Sequence, residues 1–175
     1  MSSTRRILLF TGDGKGKTTA ALGMALRAVG HGLRVCVIQF IKNDPRTGER
    51  MALSFLPNVE FLQTGLGFTP AEGHEAFDLH RRAAGEGMRM AEERLKNDTC
   101  DLMVLDEICT ACDLKLITTE EVLHLVENAT TKVILVLTGR GAPEALIEIA
   151  DTVTIMECRK HGLAKGRKAE KGVEY

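Results

Sequence analysis

The chain has 175 residues, 44% of them hydrophobic and 27% charged, with a net charge of −1, which suits one domain with a sizeable core. The near-neutral balance excludes a broad nucleic-acid or acidic-membrane surface, and the absence of tryptophan with a single tyrosine argues against stacking on single-stranded nucleic acid. No apolar run approaches the ~20 residues of a membrane span and no signal peptide precedes the first strand, so the expected compartment is the cytoplasm.

The apolar run at residues 7–10 predicts a central strand buried on both faces. It ends in Thr11-Gly12-Asp13-Gly14-Lys15-Gly16-Lys17-Thr18-Thr19, a turn written as a phosphate cradle. Glycines let backbone N–H groups approach an anion closely, a lysine adds charge, a hydroxyl after it suits Mg²⁺, and a helix N-terminus points at the same ligand. Against the pattern G-x-x-x-x-G-K-[ST], Gly16-Lys17-Thr18 fit, and Thr11 stands at the first glycine position. Residues 17–29 follow with helical spacing and stop at Gly30-His31-Gly32.

A second strand at 34–41, rich in β-branched residues, closes on Lys42-Asn43-Asp44-Pro45. Ligands of open parallel sheets bind beyond the carboxyl ends of the strands, which makes Gln39, Lys42 and Gly48-Glu49-Arg50 candidate lining or simply a solvated loop. A third strand at 59–62 leads to a loop, residues 63–70, that carries Phe68 at the same edge, either packed back on the domain or facing a ligand. Residues 74–97 form a charged amphipathic helix, holding His74 and His80, whose middle is weakened by Gly85 and Gly87.

The run 102–107 is a buried strand ending in Asp106-Glu107, the form of a Walker B element that holds Mg²⁺ beside bound phosphate. The five cysteines are an odd, scattered set suited to reduced thiols, and Cys109-x-x-Cys112 lacks further ligands to complete a zinc site. A helix opens at Thr118-Thr119-Glu120-Glu121, and a fifth strand at 132–137 ends in Thr138-Gly139-Arg140-Gly141. Arg140 there suits either a phosphate or carboxylate ligand or a structural ion pair. A short helix at 143–150 and a sixth strand at 153–156 precede a polar tail, 159–175, that is either solvated or a clamp across the site.

Six strands alternating with helices, with a glycine loop after the first and acids after the fourth, predict one α/β domain over residues 1–175. The expected form is a single P-loop NTPase-like (RecA-like) domain with a mostly parallel six-stranded sheet flanked by helices.

The wording of the motifs goes further. Thr11 to Thr19 with the alanines after it, Arg27-Ala28-Val29-Gly30-His31-Gly32, Val37-Ile38-Gln39-Phe40-Ile41-Lys42, Gly67-Phe68-Thr69, Leu105-Asp106-Glu107, Thr138-Gly139-Arg140-Gly141 and the closing Gly172-Val173-Glu174-Tyr175 together resemble the ATP:cob(I)alamin adenosyltransferases of the CobA/CobO/BtuR type. Thr11 in place of the usual glycine is part of that resemblance. It implies transfer of the 5′-deoxyadenosyl group of ATP to Co(I) of a reduced corrinoid, with release of tripolyphosphate.

On this resemblance the nucleotide is held by residues 11–19, with Arg27 and Arg140, and Lys17, Thr18, Glu107 and Phe68 carry the reaction. Mg²⁺ falls to Thr18, Glu107 and Asp106. Asp13 occupies the place of a loop asparagine, and Phe68 matches an aromatic that packs under the corrinoid ring and helps displace its lower axial ligand. Implied partners are an electron donor such as a reduced flavoprotein and a second copy of the chain, with no nucleic acid and no membrane. Two departures stand out: Phe68-Thr69-Pro70 where better-known members have Phe-Thr-Trp, and only ten residues before Thr11 where many members carry an extension that helps cover the site. The residues alone leave two other readings open, a kinase or ATPase acting on the γ-phosphate, with Glu107 orienting water, and a non-enzymatic nucleotide-dependent corrinoid carrier.

Overall fold

The computed structural model describes residues 5–130, 132–162 and 166–173. Its strands are β1 (Arg6–Thr11), β2 (Val35–Gln39), β3 (Val59–Gln63), β4 (Leu102–Asp106), β5 (Ile134–Thr138) and β6 (Thr152–Ile155), and its helices are α1 (Lys17–Gly30), α2 (Gly48–Leu53), α3 (Phe77–Lys96), α4 (Ile108–Asp113), α5 (Thr119–Asn128) and α6 (Glu144–Ile149). The strands form one sheet in the order β3-β2-β4-β5-β1-β6. Every pairing is parallel, so the expected "mostly parallel" sheet is wholly so.

Side chains alternate across the sheet with period two and divide the core into two layers. Ile7, Leu9, Cys36, Ile38, Met103, Leu105, Leu135 and Leu137 pack with the buried faces of α3 and α5. Val35, Val37, Leu102, Val104 and Val136 pack under Ala21, Ala25 and Ala28 of α1. The alanine stripe lets α1 lie close to the sheet, which sets its N-terminus directly after β1.

Several elements differ from the sequence expectation. The long helix begins at Phe77, not at residue 74, because His74 turns its ring back to accept the Ala76 N–H at 3.1 Å. That helix runs unbroken through both glycines, and Gly87 is required there: a Cβ would stand 2.7 Å from Thr64 Oγ1 and 2.8 Å from the Phe40 ring. The short helix α2 begins on Gly48-Glu49-Arg50, where a solvated loop is one of the expectations, and α4 falls on residues for which no element is expected. At six residues each they hold little periodicity, and they persist by packing, not by propensity.

The strand order decides the site. It places β5 between β4 and β1, so the loops after these three strands meet at one carboxyl edge, although their residues lie more than a hundred positions apart in the chain.

Candidate nucleotide and corrinoid site

The glycine loop explains its own departure from pattern. Thr11 is still in strand, paired with Ile155 of β6 and 6% exposed, a position that suits a β-branched residue. The left-handed backbone begins one residue later, at Gly12 with φ +93°. A Cβ on Gly12 would lie 2.5 Å from the Met156 carbonyl oxygen, and one on Gly14 would lie 2.7 Å from the same atom. The loop is pressed onto the chain leaving β6. Gly14 N–H donates to the Met156 carbonyl at 2.7 Å, and Met156 N–H donates to that of Thr11 at 2.8 Å.

Gly16, at φ +108°, is the N-cap of α1 and brings no side-chain cap. The free N–H groups of the first turn are thereby left facing the loop, the arrangement that binds anions. Lys17 is 7% exposed, and its ammonium donates to the Gly12 and Gly14 carbonyls at 2.6 and 2.7 Å. Burial lowers its pKa from the usual lysine value, with the charge of Glu107 opposing that shift.

Asp106 ends β4 with no exposed surface. Its carboxylate accepts from Thr18 Oγ1, Thr138 Oγ1 and Gln39 Nε2, each at 2.8 Å. Lys42 Nζ stands 3.7 Å from it and 3.1 Å from Glu49. Glu107 follows in the left-handed region at φ +64°, its N–H held by Thr138 Oγ1 at 2.9 Å and its carboxylate by the Thr110 hydroxyl. Thr110 Oγ1 also accepts the Arg140 N–H at 2.9 Å. One short helix, α4, thus ties the acids after β4 to the arginine after β5.

These elements surround a cavity of about 1080 Å³. Gly14, Lys15, Gly16, Lys17, Thr18 and Thr19 line its floor, with Glu107, Thr110 and Arg140 beside them. Apolar side chains share the lining: Leu22 and Leu26 of α1, Ala52 and Leu53 of α2, and Leu56 in the turn after it. Gly172 and Val173 also reach this lining, so the tail bears on the site. Glu174 and Tyr175 of the closing motif lie outside the described residues.

Several expected residues stand elsewhere. Asp13 is exposed, and Arg27 is an exposed residue in the last turn of α1, ten residues beyond Lys17 and thus ~15 Å along the helix. Neither lines the cavity. Gln39 is fully buried beneath the site instead of lining it, whereas Lys42, Gly48 and Glu49 are in the wall. Phe68 is 95% exposed on the loop after β3, at the same carboxyl edge but outside the cavity. Sequence reasoning missed the hydroxyls of Thr110 and Thr138; Thr110, three residues after Glu107 at helical spacing, was the readable signal.

Among the described residues no three His, Cys, Asp or Glu side chains group into a metal site. Cys109 and Cys112 are free thiols in α4, each pushed up to about 12 by burial. No helix among the described residues is long and apolar enough to cross a membrane.

Comparison with known proteins follows the same lines. The family model of the ATP:corrinoid adenosyltransferases BtuR/CobO/CobP matches residues 3–175. The chain is 38% identical over 170 residues to the corrinoid adenosyltransferase of Escherichia coli strain K12, covering 97% of this chain and 85% of that protein. It is 39% identical over 172 residues to the corrinoid adenosyltransferase of Salmonella typhimurium strain LT2, covering 97% and 85%. Among solved structures, a KaiC-like protein from the archaeon Pyrococcus horikoshii OT3 aligns with TM-score 0.55 at 16% identity, covering 87% of this chain and 71% of that one, a likeness of fold alone.

Proposed function

This chain belongs to the ATP:corrinoid adenosyltransferase family, and on that premise we propose how its site carries out the transfer. The enzyme adenosylates a corrinoid at the expense of ATP. The nucleophile is Co(I) of the reduced corrinoid and the electrophile is ribose C5′. The Co–C bond forms as the C5′–O bond breaks, and tripolyphosphate leaves with the bonding electron pair.

The protein then needs no nucleophile of its own. Its task is to hold the triphosphate as a leaving group while the ribose end stays open to the corrinoid. Lys15, Lys17, Arg140, the loop amides and the α1 N-terminus supply the positive field that stabilises charge developing on that group. The observation that carries this reading is the convergence of Lys17, Thr18, Glu107 and Arg140 on one cavity that is also lined by Leu22, Leu26, Ala52, Leu53 and Leu56, a lining that offers charge to a polyanion and apolar surface to the uncharged parts of the substrates.

Mg²⁺ fits the donor set: the Thr18 hydroxyl against the Asp106 carboxylate at 2.8 Å, with Glu107 in the same cavity lining, is all hard oxygen. Few protein ligands suit an ion that is held largely by substrate phosphates and water. Bound there, Mg²⁺ would neutralise phosphate charge. Phe68, held out at the sheet's ligand edge, meets the corrinoid ring, and Pro70 in place of an aromatic leaves that face with one aromatic ring. The remaining parts of the proposal are one domain with residues 159–175 as its tail, a homodimer, a reduced flavoprotein as electron source, and action in the cytoplasm.

The test is incubation with MgATP and a chemically reduced corrinoid. A light-sensitive cobalt–carbon bond together with tripolyphosphate is the expected result. ADP and phosphate without a corrinoid product would favour the γ-phosphate reading, and binding of both ligands without turnover the carrier reading.

A further inference from the structure

Beneath the cavity floor runs a line of two side-chain amides, Gln39 buried and Gln63 partly so, that the reaction as described does not use. Gln39 Nε2 donates to Asp106 Oδ2 at 2.8 Å. Gln39 Oε1 accepts from Gln63 Nε2 at 2.8 Å, and that same amide nitrogen reaches the Asp44 carbonyl at 3.2 Å. Gln63 Oε1 in turn accepts from Arg50 Nη1. The line crosses from α2 over β3 and β2 to β4, linking the cavity wall to the carboxylate that holds Thr18.

Its direction is set at both ends. A guanidinium can only donate and an ionised carboxylate can only accept. Arg50 therefore turns the oxygen of Gln63 toward itself, which turns the Gln63 nitrogen toward the Gln39 oxygen, which turns the Gln39 nitrogen toward Asp106. The opposite setting of either amide would face two donors or two acceptors at a site with no exposed surface at Gln39 or Asp106, where an unmade hydrogen bond is costly. Gln39 leaves Asp106 Oδ1 for the hydroxyls of Thr18 and Thr138.

We propose that Gln39 and Gln63 are positioning residues: with Arg50 they form a polarised relay that fixes the Asp106 carboxylate against Thr18 and couples the placement of α2 to binding of the metal–nucleotide. The inference rests on the proposed Mg²⁺–triphosphate role of Thr18 and Asp106. α2 contributes Gly48, Glu49, Ala52 and Leu53 to the cavity wall, so occupation of the floor and position of the wall are read through the same hydrogen bonds.

The experiment compares Gln63→Glu with Gln63→Met by calorimetric titration of a non-reactive ATP analogue at several Mg²⁺ concentrations, without corrinoid. Glutamate keeps the shape of glutamine but cannot donate to Gln39, so the relay is reversed where packing is preserved. The expected result is a loss of Mg²⁺-dependent affinity of about tenfold for Gln63→Glu, at least as large as for Gln63→Met, with the metal-free affinity of both unchanged. Gln63 sits on an edge strand and is partly exposed, which keeps the fold intact; thermal unfolding checks this. A second pair, Gln39→Met alone and with Gln63→Met, should be non-additive, because breaking the line once removes its effect. Wild-type Mg²⁺ dependence in Gln63→Glu, or full additivity of the pair, would overturn the relay. Its failure is separable from failure of the transferase reading, since the titration contains no corrinoid and the wild-type assay is run independently.

Discussion

The two loops that frame this site are built in opposite ways. The glycine loop after β1 is fastened along its length, with Gly12 and Gly14 pressed on Met156, Gly14 hydrogen-bonded to the same residue, and Lys17 closing the loop from within. The loop after β3 is fastened at its root: Thr64 and Gly65 N–H donate to the Gln39 carbonyl at 3.1 and 3.3 Å, and Gly67 N–H to that of Ile41 at 2.8 Å. Immediately after, Phe68 stands 95% exposed. The first loop is a preformed cradle for an anion. The second holds an aromatic ring out in water, which is where the proposed corrinoid contact would be made.

If that contrast is right, Lys17→Ala strikes hardest. It removes a preorganised charge from the leaving-group site and the internal clamp of the loop, and a loss of roughly 10²–10³ in kcat/KM is expected, read by tripolyphosphate release. A rate within a few-fold of wild type would mean that the cradle does not carry the chemistry.

The paired variants Gly14→Ala and Gly65→Ala sharpen the comparison. Each drives a Cβ into backbone, at 2.7 Å from the Met156 oxygen and 2.1 Å from the Ile41 carbonyl carbon, so each shifts its own loop. Gly14→Ala should weaken nucleotide binding in calorimetry. Gly65→Ala should leave it intact while corrinoid-dependent turnover falls on the order of 10²-fold through misplacement of Phe68.

The smallest effect on the molecule as a whole is expected from Phe68→Ala. An exposed side chain contributes little to stability, within about 0.5 kcal/mol, so thermal unfolding and ATP affinity should match wild type. The loss, about tenfold for a stacked ring, should appear only in corrinoid affinity and in reduction of Co(II). Equal loss of ATP binding would contradict the division between the loops.

Much of this was legible along the chain. The glycine run, the apolar strand before it and the acids at 106–107 are local patterns, each complete within ten residues, and the structure places all of them as expected. Short α2 and α4 were not legible, since two helical turns after Thr47 or after a left-handed Glu107 have no periodicity to display. Gly87 looked like a helix breaker because its reason, the Phe40 ring and the Thr64 hydroxyl against its Cα, belongs to other elements.

The sequence by itself determined that a phosphate loop opens an α/β sheet, that carboxylates stand at a strand end of the same sheet, and, by resemblance, which family the chain belongs to. Only the tertiary structure decided that β5 lies between β4 and β1, bringing Arg140 against Thr110 beside the acids. It also placed Gln39, Gln63 and Arg50 in one line behind Asp106, and left Phe68 in the open. The reason is physical: a turn or a strand end is specified by the steric and hydrogen-bonding preferences of adjacent residues, whereas side chains from different strands meet only through the order and register in which the strands pair.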